Sequence, residues 1–91
     1  MEYKDTVNGM LSSDYKERFI AEYQQIKIRY EKLKKFCNKI EAVGMIGEEG
    51  PKHDSPLALL RHQQHYMGEY LNILELRAEI EGIELPCSIL D

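Results

Sequence analysis

Residues 54 to 82 read DSPLALLRHQQHYMGEYLNILELRAEIEG. Asp54-Ser55-Pro56 opens this run, Glu81-Gly82 closes it, and the periodicity between them is helical. Leu57, Leu60, Met67, Leu71, Leu74 and Ala78 follow alternating three- and four-residue spacings, interrupted by Gln64, and form one apolar seam. Leu59, Tyr66, Ile73 and Ile80 recur every seventh residue on a second line, flanked by Tyr70. At roughly 100° per residue the two lines lie about 110° apart, too far for one partner helix to cover both. This helix therefore needs two neighbours.

The first neighbour lies upstream. Asp14-Tyr15-Lys16-Glu17 is a helix start, in which Asp14 accepts from the N3 amide and Glu17 reaches back to the cap. Phe19, Tyr23, Ile26, Tyr30, Leu33, Cys37 and Ile40 then keep a heptad rhythm. Val43-Gly44 is the expected end, because glycine readily takes the left-handed conformation that closes a helix. Gly47-Glu48-Glu49-Gly50-Pro51 reads as a loop. Ser55 is the expected cap of the second helix, with Pro56 at the first helical position, where a missing amide proton costs nothing. Gly82 is its expected stop, with Ile83 or Leu85 folding back on the last turn.

The fold class is all-α: a long antiparallel helical hairpin over residues 14–83, with helices near 14–43 and 56–81, a tail over 84–91 and an N-terminal arm over 1–13. Tyr3, Val7, Met10 and Leu11 of the arm have helical spacing, but Asn8-Gly9 is a turn signal. The arm is one candidate cover for the second stripe. The favoured cover is another copy of the chain, in a homo-oligomer whose interface comprises Leu59, Tyr66, Tyr70, Ile73 and Ile80, since a stripe of four turns outlasts an arm of thirteen residues. Gly68, inside the second helix, costs about 1 kcal/mol relative to alanine. It is either the site of a close approach or a tolerated surface residue.

Ninety-one residues make one domain with a small core. A chain 31% charged and 43% apolar, without tryptophan, has a soluble helical composition. Its formal charge of −4 argues against a nucleic-acid polymer as partner. Charge is unevenly placed, however. Lys27, Arg29, Lys32, Lys34, Lys35 and Lys39 face only Glu31 between residues 26 and 39, whereas acidic residues dominate from 69 to 91. A local basic surface on an acidic protein suits a small anionic ligand. Cys37 and Cys87 have no CxxC or zinc spacing and read as reduced, structural thiols. The N-terminus lacks the apolar run of a signal peptide and no stretch approaches membrane-spanning length, so neither secretion nor membrane insertion is expected.

Polar candidates concentrate in Arg61-His62-Gln63-Gln64-His65-Tyr66. His62 and His65 share a helical face and His53 lies upstream, but no acid or cysteine completes a ligand set, so no metal and no other cofactor is expected. No nucleophile elbow, phosphate loop or isolated carboxylate pair is present, which argues against an enzyme. Anion binding fits better. Arg61 offers a planar fork of donors for phosphate oxygens, Tyr15 and Tyr66 offer ring faces for a base, and Gln63, Gln64 and the adjoining His65 offer polar contacts. Each of these residues also has an ordinary structural reading: Arg61 as a solvated cation, Tyr66 as a core aromatic, the lysines as the wet face of an amphipathic helix.

Beyond periodicity, the segments Asp14-Tyr15-Lys16-Glu17-Arg18-Phe19, Tyr30-Glu31-Lys32-Leu33, Ser55-Pro56-Leu57-Ala58-Leu59-Leu60-Arg61, Met67-Gly68-Glu69-Tyr70-Leu71 and Arg77-Ala78-Glu79-Ile80-Glu81-Gly82 resemble a family of small phage proteins that includes members from crAss-like phages. The layout also resembles the helical hairpin domain shared by phage anti-CBASS protein 2 and Thoeris anti-defence protein 1. That resemblance covers residues 14 to 83. It implies a homo-oligomer, often a hexamer, that acts in the host bacterial cytoplasm. There it would sequester cyclic nucleotide or cyclic ADP-ribose signals of bacterial immune enzymes without cleaving them. It makes Arg61 the phosphate contact, with Tyr15, Lys32 and Lys35 as looser candidates. The chain lacks the accessory segments of those sponges, and its Gly68 and Tyr70 context differs from their bulkier apolar run. A helical inhibitor that grips a host enzyme and a structural phage hairpin are the alternative readings.

Overall fold

The structure, a computed structural model, describes residues 6–86. Three helices occur in order: α1 (Val7–Met10), α2 (Tyr15–Met45) and α3 (Leu57–Glu81), and no strand is present among the described residues. α2 and α3 form the expected hairpin. Its register is visible in four contacts: as the residue on α2 advances from Tyr15 to Tyr23, Tyr30 and Asn38, its partner on α3 recedes from Glu81 to Glu75, Gly68 and Arg61. The helices are antiparallel, and at 1.5 Å per residue α2 runs about 46 Å.

The two seams are the core. Phe19 and Tyr23 of α2 cluster with Leu71, Leu74 and Ala78 of α3 and with Ile83, flanked by Ile20, Ile26, Tyr30 and Leu85. Leu74 and Cys37 have no exposed surface. Cys37 is a buried reduced thiol, and Cys87 lies outside the described residues.

Helix boundaries differ from expectation for local reasons. Asp14 caps α2, but its carboxylate accepts from the Lys16 amide, one residue short of N3. Glu17 does not reach the Asp14 amide. That amide donates to Ser12 Oγ, and Ser12 in turn donates to Glu17, so serine relays the reciprocal bond of the capping box. At the other end α2 continues past Gly44 to Met45, and Gly47 takes the positive φ of 75°. The Gly47 amide donates to the Gly44 carbonyl and the Glu48 amide to the Val43 carbonyl, the paired bonds of a Schellman stop. α3 starts one residue late. The Ser55 carbonyl accepts instead from His53 Nδ1 at 2.6 Å. Pro56, extended at ψ 148°, caps in its place, and its carbonyl accepts from the Leu59 and Leu60 amides. The stop at Gly82 is as expected: φ is 69°, the Ile83 amide donates to the Ala78 carbonyl, and Ile83 is buried.

Residues 6–10 of the arm dock on α2, not on the second stripe of α3. A Cβ on Gly9 would lie 2.8 Å from the Ala21 Cβ, so glycine is what allows α1 to approach. Thr6 is buried and accepts from Gln25 Nε2 at 2.7 Å. The arm therefore follows a face of α2 marked by Ala21 and Gln25. Leu59, Tyr66, Ile73 and Ile80 remain 57%, 64%, 51% and 84% exposed in the single chain. Tyr3 lies outside the described residues.

Candidate functional site

α3 lays out its polar residues on one side of the stripe. Arg61 occupies one turn and Gln64 and His65 the next, followed by Gly68, Glu69, Asn72 and Ile73. With Tyr30 from α2 they line an open groove of about 640 Å³. Gly68 has a structural reason for its place in a helix. A Cβ there would stand 3.2 Å from Tyr30 Cε1, so the missing side chain lets the Tyr30 ring lie across α3. The close approach expected at this glycine is made by an aromatic ring, not by a backbone. The Lys27 ammonium sits 5.9 Å from the centre of the same ring and pairs with Glu31 at 3.6 Å.

Arg61 is partly sheltered and well oriented. Its Nη1 donates to Gln64 Oε1 at 2.6 Å, and its Nη2 donates to Asn38 Oδ1 at 3.0 Å and to Glu41 Oε2 at 3.4 Å. The guanidinium is thus held by three neutral or exposed groups rather than buried in a tight ion pair. An anion at these donors would compete with the Gln64 and Asn38 carbonyl oxygens and with one exposed carboxylate, Glu41. Further along, His65 Nε2 lies 3.3 Å from Glu69 Oε1. The groove is consequently cationic at the Arg61 end and carries a carboxylate at the Glu69 end.

The other sequence candidates lie elsewhere in the single chain. Tyr66 is exposed and does not line the groove, with its ring edge-on to His62 and His65 at centroid distances of 6.4 and 5.2 Å. Lys32 and Lys35 are exposed on α2 and do not line the groove. Gln63 is exposed on α3 and does not line it either. Tyr15 stands at the opposite end of the hairpin, roughly 30 Å away if measured as the α3 rise from Arg61 to Glu81. There the Tyr15 hydroxyl donates to Glu81 Oε1 and accepts from Arg77, both at 2.7 Å. Arg77 also donates to Glu81 at 3.1 Å and covers the Phe19 ring at 5.2 Å. The Tyr15 and Arg77 bonds lower the Glu81 carboxyl, and the Glu81 bond raises both the Tyr15 phenol and the Arg77 guanidinium. These groups latch the open end of the hairpin. Sequence reading missed Tyr30, Asn72 and Glu69 as groove residues. The Gly68–Tyr30 approach was their only signal, and it requires the register of both helices.

No group of three or more metal-ligating side chains occurs among the described residues. No helix among them is long and apolar enough to cross a membrane. What the fold defines is a helical hairpin with an open groove that holds Arg61 at one end and Glu69 toward the other. The Sequestin family model matches residues 13–80, and the chain belongs to the Sequestin family. That family name fits the phage anti-defence sponges that the sequence resembles, and it assigns a sequestering role, binding rather than catalysis. No curated protein and no solved structure matches the chain.

Proposed function

We propose that this protein is a phage anti-defence sponge. It binds a cyclic nucleotide immune signal in the host bacterial cytoplasm, a cyclic di- or trinucleotide or a signal of the cyclic ADP-ribose type, and holds it uncleaved. The observation that carries the reading is the groove that gathers Arg61, Gln64 and His65 beside the Tyr30 ring in a chain of a sequestering family. Arg61 holds phosphate through charge-assisted hydrogen bonds, and the aromatic ring offers a face to a base. Sequestration needs no bond to break, only an affinity that lowers the free signal below what its receptor requires.

Assembly is part of the proposal. One hairpin offers an open groove with a single aromatic wall, and the exposed stripe of Leu59, Tyr66, Tyr70, Ile73 and Ile80 calls for a cover. A homo-oligomer, with a hexamer favoured by the resemblance, covers the stripe. It also brings Tyr15, Lys32 and Lys35 of one subunit within reach of Arg61 of another. Native mass spectrometry with a panel of cyclic di- and trinucleotides and cyclic ADP-ribose tests both halves at once. A closed oligomer that takes up a fixed number of ligands is the expected result. A monomer that binds none of them would favour the protein-binding inhibitor, for which the same exposed stripe is the helix that enters a partner's groove.

A further inference from the structure

The Glu69 end of the groove asks for a different ligand group from the Arg61 end. A carboxylate is acceptor-only, and it repels phosphate. His65 engages Glu69 Oε1, which leaves Oε2 and the remaining lone pairs for a ligand. Asn72 lies one turn beyond Glu69 on the groove wall and carries an amide with both donor and acceptor atoms. Arg61 and Glu69 are separated by about 12 Å of helix rise, a span that lets phosphate sit at one end while a base edge reaches the other.

Resting on the sponge reading, we propose that Glu69 is a specificity-determining residue that selects a guanine base. Guanine presents two adjacent donors, its ring N1–H and its exocyclic amino group, which a single carboxylate accepts in parallel. The neighbouring guanine carbonyl accepts from an amide such as Asn72. Adenine presents a ring nitrogen that is an acceptor where guanine has a donor, and against a carboxylate two acceptors meet. The same group therefore attracts one purine and rejects the other. Replacement by glutamine converts the acceptor pair into an amide, which suits the donor–acceptor edge of adenine.

Calorimetry of the full chain and of Glu69→Gln, each with cyclic diguanylate and with cyclic diadenylate, tests the assignment. The wild type is expected to prefer cyclic diguanylate by at least about fivefold, the lower range for a bidentate base contact, and Glu69→Gln to erase or invert that preference. Because Glu69 is exposed on α3, its helix content should be unchanged by circular dichroism. Equal wild-type affinities, or a ratio that Glu69→Gln leaves unaltered, would overturn the guanine assignment while the sponge reading stands. Absence of binding to both rings would also overturn it, and uptake of any other cyclic nucleotide from the panel would then show the sponge reading surviving alone.

Discussion

Replacing Gly68 by alanine sets two effects of similar size against each other. Alanine gains about 1 kcal/mol over glycine in a helix interior. The new Cβ would stand 3.2 Å from Tyr30 Cε1 and 3.6 Å from Cζ and Oη, whereas carbon atoms prefer about 3.5 to 4.0 Å. The ring must therefore retreat by a few tenths of an ångström, and the space open to it is the groove it lines. Pushing an aromatic ring off its rotamer costs roughly 0.5 to 1.5 kcal/mol. Gly68→Ala should accordingly change stability by less than about 0.5 kcal/mol while narrowing the groove and weakening ligand binding. In a Tyr30→Ala background the steric term disappears, and the same substitution should recover the whole gain of about 1 kcal/mol. Urea denaturation at one protein concentration, with equal m values across the four proteins, reads the cycle. Stabilisation by about 1 kcal/mol in both backgrounds would refute the idea that Tyr30 rests on Gly68.

Leu74→Ala removes a fully buried core side chain and should destabilise the hairpin by about 2 to 5 kcal/mol, seen as a lower urea midpoint. Ile73→Lys should dissociate the proposed oligomer, because an unpaired charge at an apolar interface costs several kcal/mol, and sedimentation velocity would show the smaller species. An unchanged assembly would place the interface elsewhere. Glu81 is held below the ordinary carboxylate range by the Tyr15 hydrogen bond and then by Arg77. Its contribution is therefore present above the ordinary carboxylate value of 4.5 and is lost as pH falls through the lower folded value. Glu81→Gln should melt below wild type at neutral pH, with the gap closing in acid.

The hairpin was legible because its signals are local and redundant. Two heptad seams, an acidic N-cap at Asp14 and a glycine stop at Gly82 all point to one architecture. The ends that moved depend on backbone groups whose partners lie outside the helix: the His53 bond to the Ser55 carbonyl, and the choice of Gly47 over Gly44 for positive φ. The arm's seat on α2 was hidden because Ala21 is small and Gln25 polar, and the buried Ile28 seven residues after Ala21 falls outside the heptad seam, although Gly9 makes the contact possible. In the groove, Arg61, Gln64 and His65 were visible as a run on one helix. Tyr30 belongs to the other helix and reads equally well as plain core. Sequence spacing also cannot distinguish a Tyr15 that meets Arg61 across subunits from one that only latches Glu81.

Calorimetry of wild type and Arg61→Ala against the cyclic nucleotide panel tests the sponge most directly. Arg61 also bridges to Asn38 and Glu41, but those partners are exposed, so its loss should cost the fold less than about 1 kcal/mol and leave assembly intact. Wild type should bind a cyclic nucleotide with an affinity that falls as salt is raised, less steeply than for a nucleic-acid polymer because few phosphates are contacted. Arg61→Ala should weaken that binding by about 1.5 to 3 kcal/mol, the range for a hydrogen bond to a charged group. Equal affinity in the two proteins would remove Arg61 from the site, and no heat with any member of the panel would contradict the sponge itself.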